Sequence, residues 1–421
     1  MSNEFSKEER VAFEEMLEGF HDYLVLSRNV SKYRNSDSDM ERSNDVVWRP
    51  QPYIGVSYDG MDQSANFNEN TQLSVPATLG FSKSVPWTMD AKELRDALQE
   101  GRLTEAAKQK LASDINVAIM NVASAQGSLV VARTAAATGY DDVAQCDSIM
   151  NEQGVGAMDR YLALSSRDYN GMANNLAGRQ TMTGKPTTAY EKSYVGPVSG
   201  FETYKLDYAN RIAAAGGGGG LTIDTQASAN NYWVPLATRT AATGETSNVD
   251  NRFQTITISS TTGVAAGDCF TIAGSEAVHH ITKQSTGQLK THRVVSVESA
   301  TTMVITPPII SNQGGSAAEE MYQNVIVTPS ATAAIVFLNT TAANINPFWH
   351  KDAIEILPGR YAVPTGSGAS VMRGTTENGI ELVMTKFFDM TTFKTKFRVD
   401  TLFGVVNKQP EMSGILLFGQ V

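Results

Sequence analysis

The stretch Ile212-Ala-Ala-Ala-Gly-Gly-Gly-Gly-Gly-Leu-Thr-Ile-Asp224 separates two kinds of sequence, and that separation decides the fold. Downstream of it helix signals nearly vanish. Gln254-Thr-Ile-Thr-Ile258, Asp268-Cys-Phe-Thr-Ile272, His292-Arg-Val-Val-Ser-Val297 and Thr302-Met-Val-Ile-Thr306 are short alternating runs divided by turn residues, the cadence of a small antiparallel barrel or sandwich. Near Asn344 the style reverts with Phe348-Trp-His-Lys-Asp-Ala-Ile-Glu-Ile356. Gly379-Ile-Glu-Leu-Val-Met384 and Lys396-Phe-Arg-Val399 then pair naturally as a hairpin. The glycines therefore mark a boundary: an α+β body is interrupted by a compact β domain over 221–342 and resumes over 343–421. An inserted domain is tolerated when it leaves through flexible, solvated backbone, and that is the role expected of Gly216 to Gly220.

Upstream, Ser6-Lys-Glu-Glu9 is a capping box, and Val11, Met16, Leu17, Phe20 and Leu24 follow at helical spacing, so residues 1–35 read as an arm built on an amphipathic helix. The other face carries Glu8, Glu9, Glu14, Glu15 and Glu18. Over 36–85 two β-prone runs, Val46-Val-Trp48 and Leu73-Ser-Val75, flank a polar tract that packs no core alone, which reads as an extended hairpin loop. Residues 86–220 hold a long helix and the first part of the body. Asp90-Ala-Lys-Glu93 is a second capping box, and after Gly101 the helix runs to about Gln126 with Leu103, Ala107, Leu111, Ile115, Ile119 and Val122 in one stripe, about 36 Å of strut. Asp141 to Met150 reads as helix, Arg160 to Leu164 as a buried strand, and Ser166 opens another helix.

The 421 residues are 41% hydrophobic and 19% charged, ordinary globular material. A net charge of −10 disfavours a sequence-reading nucleic-acid binder, which carries clustered Lys and Arg to neutralise phosphates. Cys146 and Cys269 are too few for a disulfide framework or thiolate metal site and read as two inert thiols. A charge-rich start and the lack of any apolar run near about 18 residues predict neither signal peptide nor membrane helix.

No catalytic constellation emerges. His279, His280 and His292 form the one histidine cluster and read as solvated loop residues in a Lys/Gln/Ser/Thr/Gly context. His350 beside Trp349 reads as a core histidine. Asp59, Asp62, Asn66, Asn68 and Asn70 lack the spacing of a calcium loop. The glycines are followed by no Lys-Ser/Thr, and neither a Gly-x-Ser-x-Gly elbow nor a His-Glu-x-x-His signature is present. The expectation is no enzyme, no cofactor and no metal.

Several stretches resemble the major capsid proteins of lambdoid short-tailed bacteriophages, in the branch whose shell-forming fold carries an inserted β-barrel domain. Ala12-Phe-Glu-Glu-Met-Leu-Glu18 resembles that family's arm helix, and Met40-Glu-Arg-Ser-Asn-Asp-Val-Val-Trp-Arg-Pro50 the start of its extended hairpin. The most specific is Asn248-Val-Asp-Asn-Arg-Phe-Gln-Thr-Ile-Thr-Ile, continuing to Gly274, which looks like the first strands of the inserted domain. Val294-Val and Val304-Ile-Thr-Pro307 are similar to its last strands. Asn346-Pro-Phe-Trp with Asp352-Ala-Ile resembles the return into the body.

The resemblance implies the tailed-phage shell fold and a structural protein: hexamers and pentamers of itself form an icosahedral procapsid on a scaffolding protein, with a portal, which matures around double-stranded DNA without sequence-specific binding. It implies a virion capsid assembled in the host cytoplasm, with no membrane. Glu14, Glu15 and Glu18 fall in register with acidic positions that receive a basic segment of the scaffold in that family. The family's acidic loop residues, which pair with a neighbouring subunit, are replaced here by Ala241 and Thr243, so Arg239 and Glu245, together with Trp48 and Tyr53, become the inter-subunit candidates. A β-rich adhesin or tail-fibre module would share the short strands but would not open with two capped helices. An enzyme would need a constellation that the sequence lacks.

Overall fold

The structure, a computed structural model, describes residues 5–23, 26–33, 46–52, 54–64, 66–67, 70–90, 97–178, 185–217, 219–224, 232–362, 368–376 and 379–421. It mixes helices with sheets in an α+β arrangement. The chain divides into two compact units, one of Met1–Val47, Ala77–Met120 and Ile354–Val406, the other of Trp48–Pro76, Asn121–Ala353 and Asn407–Val421.

In the first unit, helix α1 (Lys7–Tyr23) opens on the predicted reciprocal cap. Ser6 Oγ accepts from the Glu9 N–H at 3.1 Å, and Glu9 Oε2 accepts from the Ser6 N–H at 2.7 Å. The apolar stripe differs from the expected one. Phe13 and Met16 are buried while Val11 is exposed, so the inward face runs through positions 9, 13 and 16. That rotation takes Glu9 out of the solvated acidic face, because its carboxylate meets Lys386 at 2.6 Å. Phe20 and Leu24 lie where no side chain is described.

The long strand Lys394–Asn407 organises this unit. It pairs with Glu381–Asp389 as an antiparallel hairpin, as expected, and also antiparallel with Phe81–Asp90. Stacked rings fix the second register, Phe81 on Phe403 at 5.3 Å and Trp87 on Phe397 at 5.7 Å. Helix α2 (Ala97–Gln126) starts before Gly101 rather than after it and has 30 residues, so the strut is about 45 Å long. A helix of this length with Ala107, Leu111, Ile115 and Ile119 fully buried absorbs the roughly 1 kcal/mol that an interior glycine costs. The capping box at Asp90 to Glu93 falls partly outside the described residues.

Among the described residues the second unit contains two five-stranded sheets and smaller two-stranded ones. A mixed sheet runs in the order Leu129–Ala132, Ser413–Leu417, Asn346–His350, Arg160–Ser165, Phe201–Leu206. Every residue of Arg160–Ser165 is buried, which is why a short apolar run, not an alternating one, signalled it. Helices α3 (Tyr140–Glu152) and α4 (Ser166–Ala177) pack against the sheet through Val143, Cys146, Tyr169 and Met172.

The other sheet is antiparallel throughout, in the order Gln254–Thr257, Thr302–Thr306, Ser285–Val297, Cys269–Val278, Ile335–Phe337. Its two edges are joined by a segment that the sequence reading did not mark as a strand. Ile335 and Ile223 N–H groups donate to Leu221 O at 2.9 Å and Ala333 O at 3.0 Å on one side. On the other, Ser259 and Asp224 N–H groups donate to Thr222 O at 2.8 Å and Thr257 O at 3.1 Å. Residues 221–224 thus close the sheet into a barrel around Ile223, Ile256, Phe270, Ile272, Met303 and Ile305.

The glycine run ahead of this closing segment is not merely a loose joint. A Cβ on Gly216 would sit 2.9 Å from the Gly263 carbonyl oxygen, and one on Gly217 would sit 2.6 Å from the Phe337 ring. Gly219 has open space around it. Close backbone approach to the barrel wall therefore dictates the first two glycines. Gly217→Ala is expected to destabilise the chain by about 1–3 kcal/mol through overpacking, with Gly219→Ala within about 0.5 kcal/mol of the parent. Urea midpoints of the two variants check this, and equal midpoints would return the run to the role of a flexible tether.

Candidate inter-subunit surfaces and a buried anchor

Three regions gather the polar chemistry. On α1, Glu8, Glu14 and Glu15 are exposed, interspersed with exposed Lys7 and Arg10. Glu18 lies in the same helix, with its side chain outside the description. Because the opposite face is committed to Phe13, Met16 and the Glu9–Lys386 pair, this side is left to solvent or to a partner.

The second region is a two-stranded hairpin, Thr238–Thr240 with Thr246–Asn248, and all six strand residues are exposed. Arg239 stands opposite Ser247, and Glu245 lies in the turn, where its carbonyl accepts from the Ala241 N–H at 2.8 Å. The hairpin stands on Asp250, Asn251 and Arg252. Asn251 holds Leu236 through both its N–H and its carbonyl, at 3.1 and 2.9 Å, and its Oδ1 also accepts from Trp233 Nε1 at 3.1 Å. Arg252 pairs with Asp250 at 2.6 Å and donates to the Asn407 carbonyl at 2.9 Å. A polar triplet immediately before a strand is therefore a set of side-chain bonds that fixes the hairpin base. Trp48 is half-buried in the strand Val46–Pro50, and Tyr53 lies outside the described residues.

The third region anchors the barrel to the rest of its unit, and the sequence reading missed it. Lys290, 1% exposed, donates to Glu411 Oε1 at 2.5 Å and to Gln153 Oε1 at 2.8 Å. Asn324 Nδ2 reaches the same carboxylate oxygen at 3.1 Å, and His280 Nε2 lies 3.2 Å from the other. Burial alone would raise the Glu411 carboxyl, but Lys290 and His280 outweigh it and hold the group below the usual carboxylate range. One strand turn further on, the buried Arg293 guanidinium donates to the Ser124 carbonyl in the last turn of α2 and to Gly267 O at 3.1 Å. A cation there meets the negative end of the helix. Thr291 Oγ1 donates to Ser128 O at 2.9 Å.

Two histidine readings need correction. His292 is neither in a loop nor solvated: it lies within Ser285–Val297, fully buried, with its ring stacked on Phe270 at 5.7 Å and Nδ1–H donating to Pro307 O at 3.0 Å. Burial, then the nearby Lys290 charge, lowers its pKa to about 4. Nor is His280 solvated, since its side chain is only 12% exposed beside Glu411. Both cysteines are free and buried, and burial raises both thiols, which makes them poor nucleophiles. Among the described residues no group of three His, Cys, Asp or Glu could hold a metal, and no helix is long and apolar enough to cross a membrane.

A family model described as P22 coat protein, gene protein 5, matches residues 1–419. The chain belongs to the P22 coat protein family. It is a major capsid protein of a bacteriophage, a component of the virion shell. Among solved structures, the CUS-3 coat protein I-domain is 35% identical over a match covering 30% of this chain and 99% of that one, with a TM-score of 0.21. A Mycobacterium phage Che8 chain matches 94% of this chain and 90% of its own at 10% identity and a TM-score of 0.44. The capsid of cyanophage P-SCSP1u matches at 13% identity, 93% and 86% coverage, and a TM-score of 0.44. In this capsid protein the exposed carboxylates of α1 belong to the first unit and the exposed hairpin bearing Arg239 and Glu245 to the second, and the buried Lys290–Glu411 cluster is internal to the second unit.

Proposed function

We propose that copies of this chain assemble as hexamers and pentamers into an icosahedral procapsid on a scaffolding protein, with a portal, in the host cytoplasm, and that the shell matures around double-stranded DNA. Family membership supports the shell. What carries the assembly reading is the loop between the strands Val46–Pro50 and Ser74–Thr78, where Met61 and Phe67 are almost fully exposed. The base of the loop packs on its own chain through Leu73 and Val56, but large apolar groups displayed at Met61 and Phe67 call for a neighbouring surface. The same reading makes 36–85 the extended loop and 221–342 the inserted domain, and makes Arg239, Glu245, Trp48 and Tyr53 contact residues between subunits. An acidic shell also suits a container that must not grip its DNA.

Glu14 and Glu15, with Glu18 one turn on, are the scaffold-facing group in this reading. One exposed ion pair contributes only about 0–1 kcal/mol, so recruitment needs the whole cluster and weakens with salt. The experiment is co-expression with the scaffolding partner, followed by electron microscopy and scaffold content of the particles. Glu14→Lys should leave the monomer folded and give scaffold-poor or misshapen particles, and wild-type loading should fall steeply as salt rises. Normal procapsids from the variant, with loading indifferent to salt, would remove the electrostatic docking idea and leave these carboxylates as a solvated face.

A further inference from the structure

Lys290, Asn324 and Glu411 meet at one point of the second unit, and all three are buried, at 1%, 1% and 8% exposure. Lys290 Nζ donates to Glu411 Oε1 at 2.5 Å and to Gln153 Oε1 at 2.8 Å, and Asn324 Nδ2 donates to that same Glu411 oxygen at 3.1 Å. An amine, a carboxamide and a carboxylate that touches both are the parts of an amide exchange. The carboxamide is also fixed in place: Nδ2 makes a second bond to the Pro308 carbonyl at 2.8 Å, and Oδ1 accepts from the Ile310 N–H at 2.9 Å. That N–H stands where negative charge develops on Oδ1 when a nucleophile adds to Cγ, so the donor that stabilises it is already in position. His280 Nε2, 3.2 Å from Glu411 Oε2, completes the surroundings of the carboxylate.

We propose that Lys290 and Asn324 become joined by an isopeptide bond within the chain, with Glu411 as the proton carrier. The ion pair is the resting state, and the neutral pair, in which Glu411 has taken one proton from the Lys290 ammonium, is its minor form. Conversion is therefore slow and accumulates with time. From the neutral pair the Nζ lone pair adds to Cγ, a C–N bond forms, and the carbonyl electron pair moves onto Oδ1. Glu411 gives its proton to Nδ2 and takes one from Nζ, the Cγ–Nδ2 bond breaks, and ammonia leaves. The products are an amide, ammonia and a neutral Glu411 carboxylic acid, so atoms and charge balance with no oxidant or co-reactant. Two buried charges are lost in the exchange, and the bond ties the strand Ser285–Val297 to the segment that follows the short helix Ala317–Tyr322.

The full-length chain is incubated just below its melting temperature while its intact mass is followed. Chains lighter by one ammonia are expected to accumulate, and a tryptic digest should yield the peptide holding Lys290 linked to the peptide holding Asn324, uncut after Lys290. The same incubation in denaturing urea should yield no linked pair, because the reaction depends on the fold. Glu411→Gln, shown by its melting curve to be folded, should link about a hundredfold more slowly, the contribution of a placed proton carrier.

A mass that stays at the sequence value overturns the proposal. Ammonia loss without linked peptides also overturns it, since that marks ring closure of an asparagine on its own backbone. Linking at an equal rate in urea removes the geometric argument, and an equal rate in Glu411→Gln removes the role given to Glu411.

Discussion

Glu411→Ala is expected to lower the stability of the chain by about 3–5 kcal/mol, although Glu411 lies in a short C-terminal turn with little apolar contact of its own. The reason is Lys290. Its ammonium is 1% exposed, and Glu411 is the carboxylate paired with it at 2.5 Å. Removing the carboxylate leaves a buried cation with only the Gln153 carbonyl as neutral acceptor, and the cost of that uncompensated charge exceeds what the pair contributed when intact. The double variant Lys290→Met with Glu411→Leu should therefore recover most of the loss, and can match or exceed the parent. Urea unfolding of the parent, the single variant and the double variant at neutral pH checks this. A single variant within about 1 kcal/mol of the parent would mean that the cluster is solvated and anchors nothing.

The second large effect is a dependence on pH that centres on His292. An unfolded histidine takes up its proton near pH 6.5, while the folded one, stripped of water and placed near Lys290, does so only near about 4. Between these values the unfolded chain binds a proton that the folded chain refuses, so stability rises with pH across the window and is lost as pH falls from 6.5 to 4. A gap of this size in one group corresponds to about 3 kcal/mol by pH 4, with no contribution from this residue above about pH 7. His292→Gln should flatten the slope of the unfolding midpoint between pH 7 and pH 4.5, even if it lowers the neutral-pH value. An unchanged slope would show that His292 is wet in the folded chain. Glu411 acts lower still, since its folded carboxyl holds its charge below the usual range.

Much of this molecule was legible in one dimension because local rules suffice for local structure. The Ser6–Glu9 cap, the strut that ends at Gln126, the all-buried strand Arg160–Ser165 and the short strands between Gln254 and Thr306 each follow from spacing, side-chain hydrogen bonding and β-propensity over a few residues. The family was legible too, because Asn248 to Gly274 and the scattered partner motifs specify more than composition does. What sequence could not decide was which distant groups meet. Leu221 to Asp224 is too short to show a strand period, and becomes one only because the two barrel edges present unpaired carbonyls and N–H groups on either side of it. Gly216 and Gly217 read as freedom in the sequence and turned out to be required by the proximity of Gly263 and Phe337. His292 and Lys290 sit in a stretch that looked solvated for its polar composition, and Arg293 beside them in a run that read only as a strand. They are buried because their partners, Pro307, Glu411 and the end of α2, arrive from positions with no fixed spacing to them. Burial of a charge depends on a partner in space, and only the tertiary structure supplies one.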